Sequence, residues 1–194
     1  MLAYVFWHRP RPEADIEGYE SALSAFHRSL AHSRPAGLEA SASFRVAELP
    51  WIAGEGAGYE DWYLLDGFSS LGVLNEAAVG RGHRTAHDHA ARQTALGTAG
   101  LYALQDGDTV AWEQGAVGVW VEREPGSAAP PALGDLLADG VAPGPACLWR
   151  RQMSFGPAPE FCLHAARPPA GVAEDRLPER WRARAIARKA LGNG

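Results

Sequence analysis

Cysteine, lysine and long apolar runs are scarce in this chain of 194 residues, and each shortage excludes a class of protein. Cys147 and Cys162 are the only cysteines, too few for the disulfide framework of a small secreted protein. No segment approaches the roughly 18 to 20 apolar residues that span a membrane, and the first residues lack the basic start and long apolar core of a secretory leader. These shortages predict a cytoplasmic protein without a membrane partner.

Positive charge is in short supply as well. Lys189 is the only lysine, and 18 lysines and arginines against 23 aspartates and glutamates give a formal net charge of −5. This balance supplies no electrostatic reason to bind nucleic acid. The use of arginine in place of lysine, with abundant alanine, glycine and proline, indicates a GC-rich bacterial genome.

What is present is enough to build a folded core. Hydrophobic residues make up 46% of the chain and charged residues 21%, an ordinary globular composition. Leu2–His8 is apolar on both faces, which predicts a central strand. Glu13–His32 carries one apolar stripe at three- and four-residue steps, which predicts a helix. Further strands are predicted at Leu38–Leu49, Tyr59–Asp66 and Gly100–Leu104, and further helices at Phe68–Val79 and Arg84–Leu96.

The second half of the chain resembles a weaker copy of the first. Val117–Arg123 predicts a strand that leads into Glu124-Pro125, as the first strand leads into Arg9-Pro10. No closing strand is evident in this half. Its other predicted elements are a short helix at Leu133–Ala138, a hairpin with strands at Cys147–Phe155 and Glu160–Ala165, and a final helix at Glu179–Leu191.

Together these elements predict an α+β fold with antiparallel sheets. The order β-α-β-β-α-β is the ferredoxin-like arrangement, so we expect two ferredoxin-like halves. The first half is placed at residues 1–107. The second, degenerate half with its C-terminal helix is placed at residues 108–194, and residues 107–115 form the junction.

The first hundred residues resemble the dimeric α+β barrel superfamily, which includes stress-responsive barrel proteins, EthD-like proteins and antibiotic-biosynthesis monooxygenases. The resemblance implies a barrel that closes within the chain or by dimerisation, with a pocket between sheet and helices. The residues that carry it are Tyr4–Trp7, the Arg-Pro break, the helix through Tyr19, Phe26, His27 and Leu30, the strand Trp62–Leu65, and the following helix with Leu74–Ala78.

Functions within that superfamily are diverse, so the resemblance leaves alternatives open. The leading hypothesis is a barrel that binds a small organic molecule, as a cofactor-independent oxygenase or isomerase. A second is a haem- or metal-binding protein that uses His27, His87 or His164. The third is a structural or regulatory module that self-associates without catalysis, and a homodimer is compatible with all three.

Three residues are candidates for catalysis: His8, His27 and Tyr63. His8 ends the first strand, where that strand would reach the mouth of a barrel, and His27 lies one step off the apolar stripe of the first helix. An imidazole there could act as a general base, although a structural histidine hydrogen-bonded at an element's edge fits the pattern too. The resemblance favours His27, because EthD-like proteins often carry a histidine near this point.

The polar face of the second strand predicts a ligand surface. Ser41, Ser43 and Arg45 alternate with apolar residues, so we expect them to face the lumen or a partner sheet, opposite the helix-packing side. Asp61 and Tyr63 join them if the neighbouring strand has the matching register. In the second half, Arg151 and His164 are expected to line an equivalent surface. Such a set suits a small organic acid or a polyketide-like ligand. The alternative is a hydrated interface within the barrel, in which these polar side chains hydrogen-bond to one another.

Other motifs carry less. His83 and His87 are four residues apart and would share one helix face, as metal ligands do, but His89 would point away from them. We therefore expect an exposed helix and assign no metal ligands. The glycines of residues 54–58 lie between two strands, without the helix that a dinucleotide-binding loop requires. The two cysteines are expected to be buried thiols.

Overall fold

The computed structural model describes residues 1–80, 82–124, 145–169 and 181–192. This part of the chain forms an eight-stranded barrel with four helices. In chain order the elements are β1 Leu2–Pro10, α1 Ile16–His32, β2 Leu38–Val46, β3 Gly58–Leu65, α2 Phe68–Val79, α3 Arg84–Ala91, β4 Thr94–Gly107, α4 Val110–Gln114, β5 Val117–Arg123, β6 Cys147–Ser154, β7 Phe161–Ala165 and β8 Trp181–Ala190.

The barrel closes within one chain. Its strands follow the order β1-β3-β2-β8-β5-β7-β6-β4, and every neighbouring pair is antiparallel. In each half the first strand lies between the third and the fourth, and the second strand pairs with the third. The α+β fold with antiparallel sheets is therefore confirmed. The division at residue 107 stays a prediction, and the predicted helix at Leu133–Ala138 lies outside the described residues.

Local sequence patterns locate most elements closely. α2 and β5 have the predicted bounds. α1 begins later than predicted, at Ile16, because the Asp15 carboxylate accepts a hydrogen bond from the N–H of Gly18 at 3.0 Å and caps the helix. β4 begins at Thr94, inside a predicted helix, because it pairs with nearly all of β1.

The predicted final helix is wrong: its residues Trp181–Ala190 form the strand β8. It pairs with β5 from Trp181 to Ala187 and with β2 from Arg188 to Ala190. Alanine and arginine favour helix in isolation, but here the backbone groups bond to two neighbouring strands instead. β8 is therefore the closing strand that the sequence did not reveal.

Aromatic side chains fill the barrel lumen. Trp7 and Trp120 lie 5.3 Å apart between ring centroids, and Trp62 and Trp149 lie 5.6 Å apart. Trp51, from the loop after β2, packs against Trp7 at 5.5 Å and Trp120 at 5.1 Å. The lumen is thus a packed core, and a ligand has to be sought elsewhere.

One arginine holds the loop that carries Trp51. The Arg9 guanidinium donates to five backbone carbonyls of this loop at 2.8 to 3.2 Å. Such a fork of donors suits a loop whose carbonyls all turn inward. The acceptors belong to Leu49, Gly54, Glu55, Gly56 and Ala57.

The outer face of the first four strands is covered by helices. The apolar stripe of α1, which includes Tyr19, Phe26 and Leu30, is buried against this face. α2 and α3 extend the layer, and none of the described helices is long and apolar enough to cross a membrane. The candidate site lies between this helical layer and the sheet.

Candidate functional site

A cavity of about 670 Å³ lies between the outer face of the sheet and the helices. Tyr4 and Phe6 of β1, Phe26 of α1 and Tyr63 of β3 supply its aromatic walls. Phe68 and Phe155 also line it and are 59% and 61% exposed, so they stand at its mouth. The volume is that of a site for a small organic ligand.

Strand geometry explains why these rings meet. Tyr4 and Phe6 are two residues apart on β1 and therefore share its outer face. Tyr63 is directly opposite Tyr4 in the β1–β3 register, with ring centroids 5.8 Å apart. Gly97 of β4 leaves room for Phe6, because a side chain there would come within 2.4 Å of that ring.

The polar groups of the cavity include neutral hydrogen-bond donors. Burial raises the pKa of Tyr63 well above its ordinary value, and the Asp61 charge adds to the rise. Burial likewise raises the pKa of Tyr4. Both hydroxyls therefore stay protonated. Thr98 lines the same cavity, and its hydroxyl is buried without a hydrogen-bond partner among the described residues.

Behind one wall of the cavity, two histidines flank a buried carboxylate. Nε2 of His8 lies 3.1 Å from one Asp61 oxygen, and Nε2 of His27 lies 3.5 Å from the other. All three side chains are buried. Burial alone would raise the pKa of Asp61, but the His8 charge and the close approach of both imidazoles hold it well below the ordinary value.

The cluster of His8, Asp61 and His27 contacts the cavity through aromatic rings. The His8 ring stacks on Phe6 at 5.0 Å, and the His27 ring stacks on Tyr63 at 5.2 Å. Since Phe6 and Tyr63 also line the cavity, one layer of rings separates the histidines from it.

The cluster also extends away from the cavity. Nδ1 of His8 lies 2.5 Å from the Tyr19 hydroxyl, which lies 2.9 Å from the Thr94 hydroxyl. This polar chain joins α1 to the start of β4.

Comparison with known proteins gives a relationship of fold. No protein-family model and no curated protein matches the chain. A crystal structure described as that of an anthrone oxidase-like protein superposes with a TM-score of 0.53, covering 98% of this chain and 93% of that chain at 11% sequence identity. The likeness is one of architecture, and it agrees with an α+β barrel.

The structure brings several predicted site residues together. Tyr63 lines the cavity, and His8, His27 and Asp61 lie behind it. In the β2–β3 register Ser43 is opposite Asp61, as the predicted polar face required.

The predicted direction of that polar face is wrong. Ser41, Ser43 and Arg45 share the outer, helix-covered face, while Phe44 points into the lumen. The physical reason is that large aromatic side chains fill the lumen, so the helical layer covers the mixed polar and aromatic face. Arg45 is half exposed and lies 3.3 Å from Glu20 of α1, away from the cavity.

Arg151 and His164 do not line an equivalent surface, since they lie on the lumen side of the barrel wall. His164 is fully buried between two thiols, 3.8 Å from Cys147 Sγ and 3.4 Å from Cys162 Sγ. Burial, together with the Arg188 charge, holds the pKa of His164 well below its ordinary value. Arg151 donates to the carbonyl of Ala158 at one end of the lumen.

Of the histidines, His87 is the one that lines the cavity. His83 contacts Ser29 and Ser33 at 2.6 and 3.1 Å, and the exposed His89 lies outside the cavity. His87 lines the cavity, with its Nδ1 3.1 Å from Asp88. Within the described ranges no three His, Cys, Asp or Glu side chains converge so as to hold a metal ion, and both cysteines are free, buried thiols.

Sequence reasoning missed an ion pair inside the lumen. Nε of Arg188 lies 3.0 Å from Oε1 of Glu60, and both side chains are almost fully buried. The Arg188 guanidinium lies 3.5 Å from the centroid of the Phe44 ring and donates to the carbonyl of Trp112 at 3.0 Å. Burial raises the pKa of Glu60, and the Arg188 charge opposes that rise. The available signal was the placement of Ile186 and Arg188 at a spacing of two, as in a strand.

Proposed function

We propose that this chain binds a flat, mostly apolar aromatic ketone or phenol in the cavity and oxidises it with molecular oxygen, without a cofactor. The observation that carries the proposal is the aromatic cavity of about 670 Å³ with its neutral hydroxyl donors. The fold likeness to an anthrone oxidase-like protein supports the same substrate class.

The character of the cavity selects the ligand. Phe6, Phe26 and Tyr63 offer ring faces and edges for a planar aromatic system. Among the described lining residues there is no arginine or lysine, so these largely apolar walls favour a neutral ligand over a carboxylate, which would lose its hydration there. A ketone or phenol oxygen needs only hydrogen bonds, which the Tyr4 and Tyr63 hydroxyls can donate.

The proposed reaction needs only the substrate and oxygen. In a tricyclic ketone such as anthrone, loss of a methylene proton gives an enolate whose negative charge rests on the carbonyl oxygen. Tyrosine hydroxyls aimed at that oxygen stabilise the charge as it forms. Oxygen adds at the former methylene carbon and water leaves, so that CH₂ plus O₂ becomes C=O plus H₂O.

The predicted catalytic residues take two roles in this proposal. Tyr63 touches the ligand and donates to its oxygen. His27 and His8 are positioning residues, because each stacks on a ring of the cavity wall while Asp61 holds both imidazoles.

A direct assay tests the proposal. Anthrone is mixed with purified protein in air, and oxygen uptake and formation of the quinone are followed, with the spontaneous rate in buffer subtracted. Binding is measured separately by calorimetry under nitrogen. We expect saturable binding and one oxygen consumed per quinone formed. Absence of binding, or binding without any protein-dependent oxygen uptake, would contradict the proposal.

A further inference from the structure

We infer that His87 is the general base of this site and that Asp88 orients it. The inference rests on the proposed function, since it names the group that takes the methylene proton. His87 lines the cavity from α3, whereas His8, Asp61 and His27 do not line it.

Two contacts fix the His87 ring. Its Nδ1 lies 3.1 Å from an Asp88 carboxylate oxygen, and its ring meets the ring of Phe26 edge-on, with centroids 5.5 Å apart. The hydrogen bond from His87 holds the pKa of Asp88 below its ordinary value. An Nδ1–H that donates to this carboxylate leaves the Nε2 lone pair as the proton acceptor.

No other described group at the cavity suits this role. Tyr4 and Tyr63 line it, but their raised pKa values keep them protonated. His8 and His27 have basic nitrogens, yet both lie behind the ring layer and face Asp61. His87 is part-buried, so it can reach a ligand and exchange protons with water.

The proton inventory of the step closes. Nε2 of His87 takes one methylene proton, and the electron pair of that C–H bond moves to the carbonyl oxygen as the enolate. The enolate gives its electrons to oxygen, forming a carbon–oxygen bond. The imidazolium returns its proton to the resulting peroxide, and loss of water yields the ketone and neutral His87.

The chain offers a matched control for the test. His89 lies on the same helix, is exposed and lines a different groove between α1 and α3. We expect His87→Ala to lower the oxidation rate by about 10²- to 10⁴-fold, with affinity for anthrone under nitrogen changed by less than about threefold. His89→Ala should retain the wild-type rate.

Two readouts separate a base from a merely structural residue. Free imidazole should restore part of the His87→Ala rate and leave the wild type unchanged. Anthrone deuterated at the methylene should react more slowly than the protium compound in His87→Ala. Circular dichroism and the melting temperature check that each variant is folded, and His87→Gln repeats the test with a side chain of similar size.

The outcomes distinguish the two proposals. A wild-type protein that does not oxidise anthrone overturns both. An active wild type with an equally active, folded His87→Ala overturns only the role of His87. A slow His87→Ala that imidazole does not rescue, with weakened anthrone binding, shows a structural residue and also overturns the inference.

Discussion

The Asp61 carboxylate lies 3.1 Å from Nε2 of His8, and both groups are sealed beneath α1. A charged carboxylate at such a depth needs partners, and His27 on α1 supplies the second. This arrangement ties the helix to the sheet and fixes the two imidazoles that stack on the cavity wall. Function and stability therefore share these side chains.

Replacement of Asp61 by asparagine should cost the fold about 3 kcal/mol or more in free energy of unfolding, because two buried imidazoles lose their charged partner. Urea denaturation measures the effect. Ser43→Ala is the matched control, since Ser43 is buried opposite Asp61 on the neighbouring strand and its hydroxyl has no hydrogen-bond partner among the described residues, so its cost should stay below about 1 kcal/mol. If both variants lose the same free energy of unfolding, the Asp61 carboxylate does not stabilise the fold more than an ordinary buried polar group.

Stability should fall as the pH drops below about 6.5, and His164 is one cause. In the unfolded chain its imidazole takes up a proton near pH 6.5, whereas the folded protein, with its depressed pKa, does not. The unfolded state then binds more protons, so His164 should contribute a loss of about 1.4 kcal/mol per pH unit. Urea titrations at pH 7.0, 6.0 and 5.5 measure the slope.

His164→Gln should flatten that dependence. His32→Gln, which removes an exposed histidine at the end of α1, should leave it unchanged. An unaltered slope in a folded His164→Gln protein would mean that other groups cause the acid sensitivity.

The ion pair in the lumen should behave as a coupled unit. Glu60→Met or Arg188→Met alone leaves one buried charge without its partner, and we expect each to cost about 3 to 5 kcal/mol. The double variant Glu60→Met with Arg188→Met should be less unstable than the sum of the single losses, by about 1 to 3 kcal/mol. Strict additivity in a double-mutant cycle would refute the coupling.

Gly72 offers a way to fill the cavity without disturbing the fold. It lies on α2 at the cavity, and a side chain there meets open space. Gly72→Leu should weaken anthrone binding at least about tenfold by occupying the site. Its melting temperature should not fall, because glycine in a helix interior costs about 0.5 to 1 kcal/mol relative to alanine. Ser69→Leu adds the same side chain to an exposed position of α2 and should bind normally.

Local sequence patterns were enough to predict α1, α2 and β5, since α1 buries one apolar stripe and β5 is a short apolar run that is buried on both faces. It failed for β8, whose Ile186 and Arg188 are buried only through pairing with β5 and β2. Alternation along β2 separated two faces correctly. It did not say which face was inner, since both faces of this part of the barrel wall are covered.

The candidate site, too, could be predicted only in part from local sequence. His8, His27 and Asp61 could be named from their places at element edges, but their convergence depends on a register that no local pattern determines. Thr98 and His87 meet at the cavity because β4 and α3 approach it from separate directions. Their residue types alone gave no signal of that meeting.

Both seams of the barrel, β2 with β8 and β4 with β6, are made by a single polypeptide. In a barrel assembled from two chains, closure is an association, and dilution opposes it. Here the strands are joined by covalent loops, so closure costs only the conformational entropy that these loops lose when their ends are brought together. Closure of the sheet that backs the cavity is therefore independent of protein concentration.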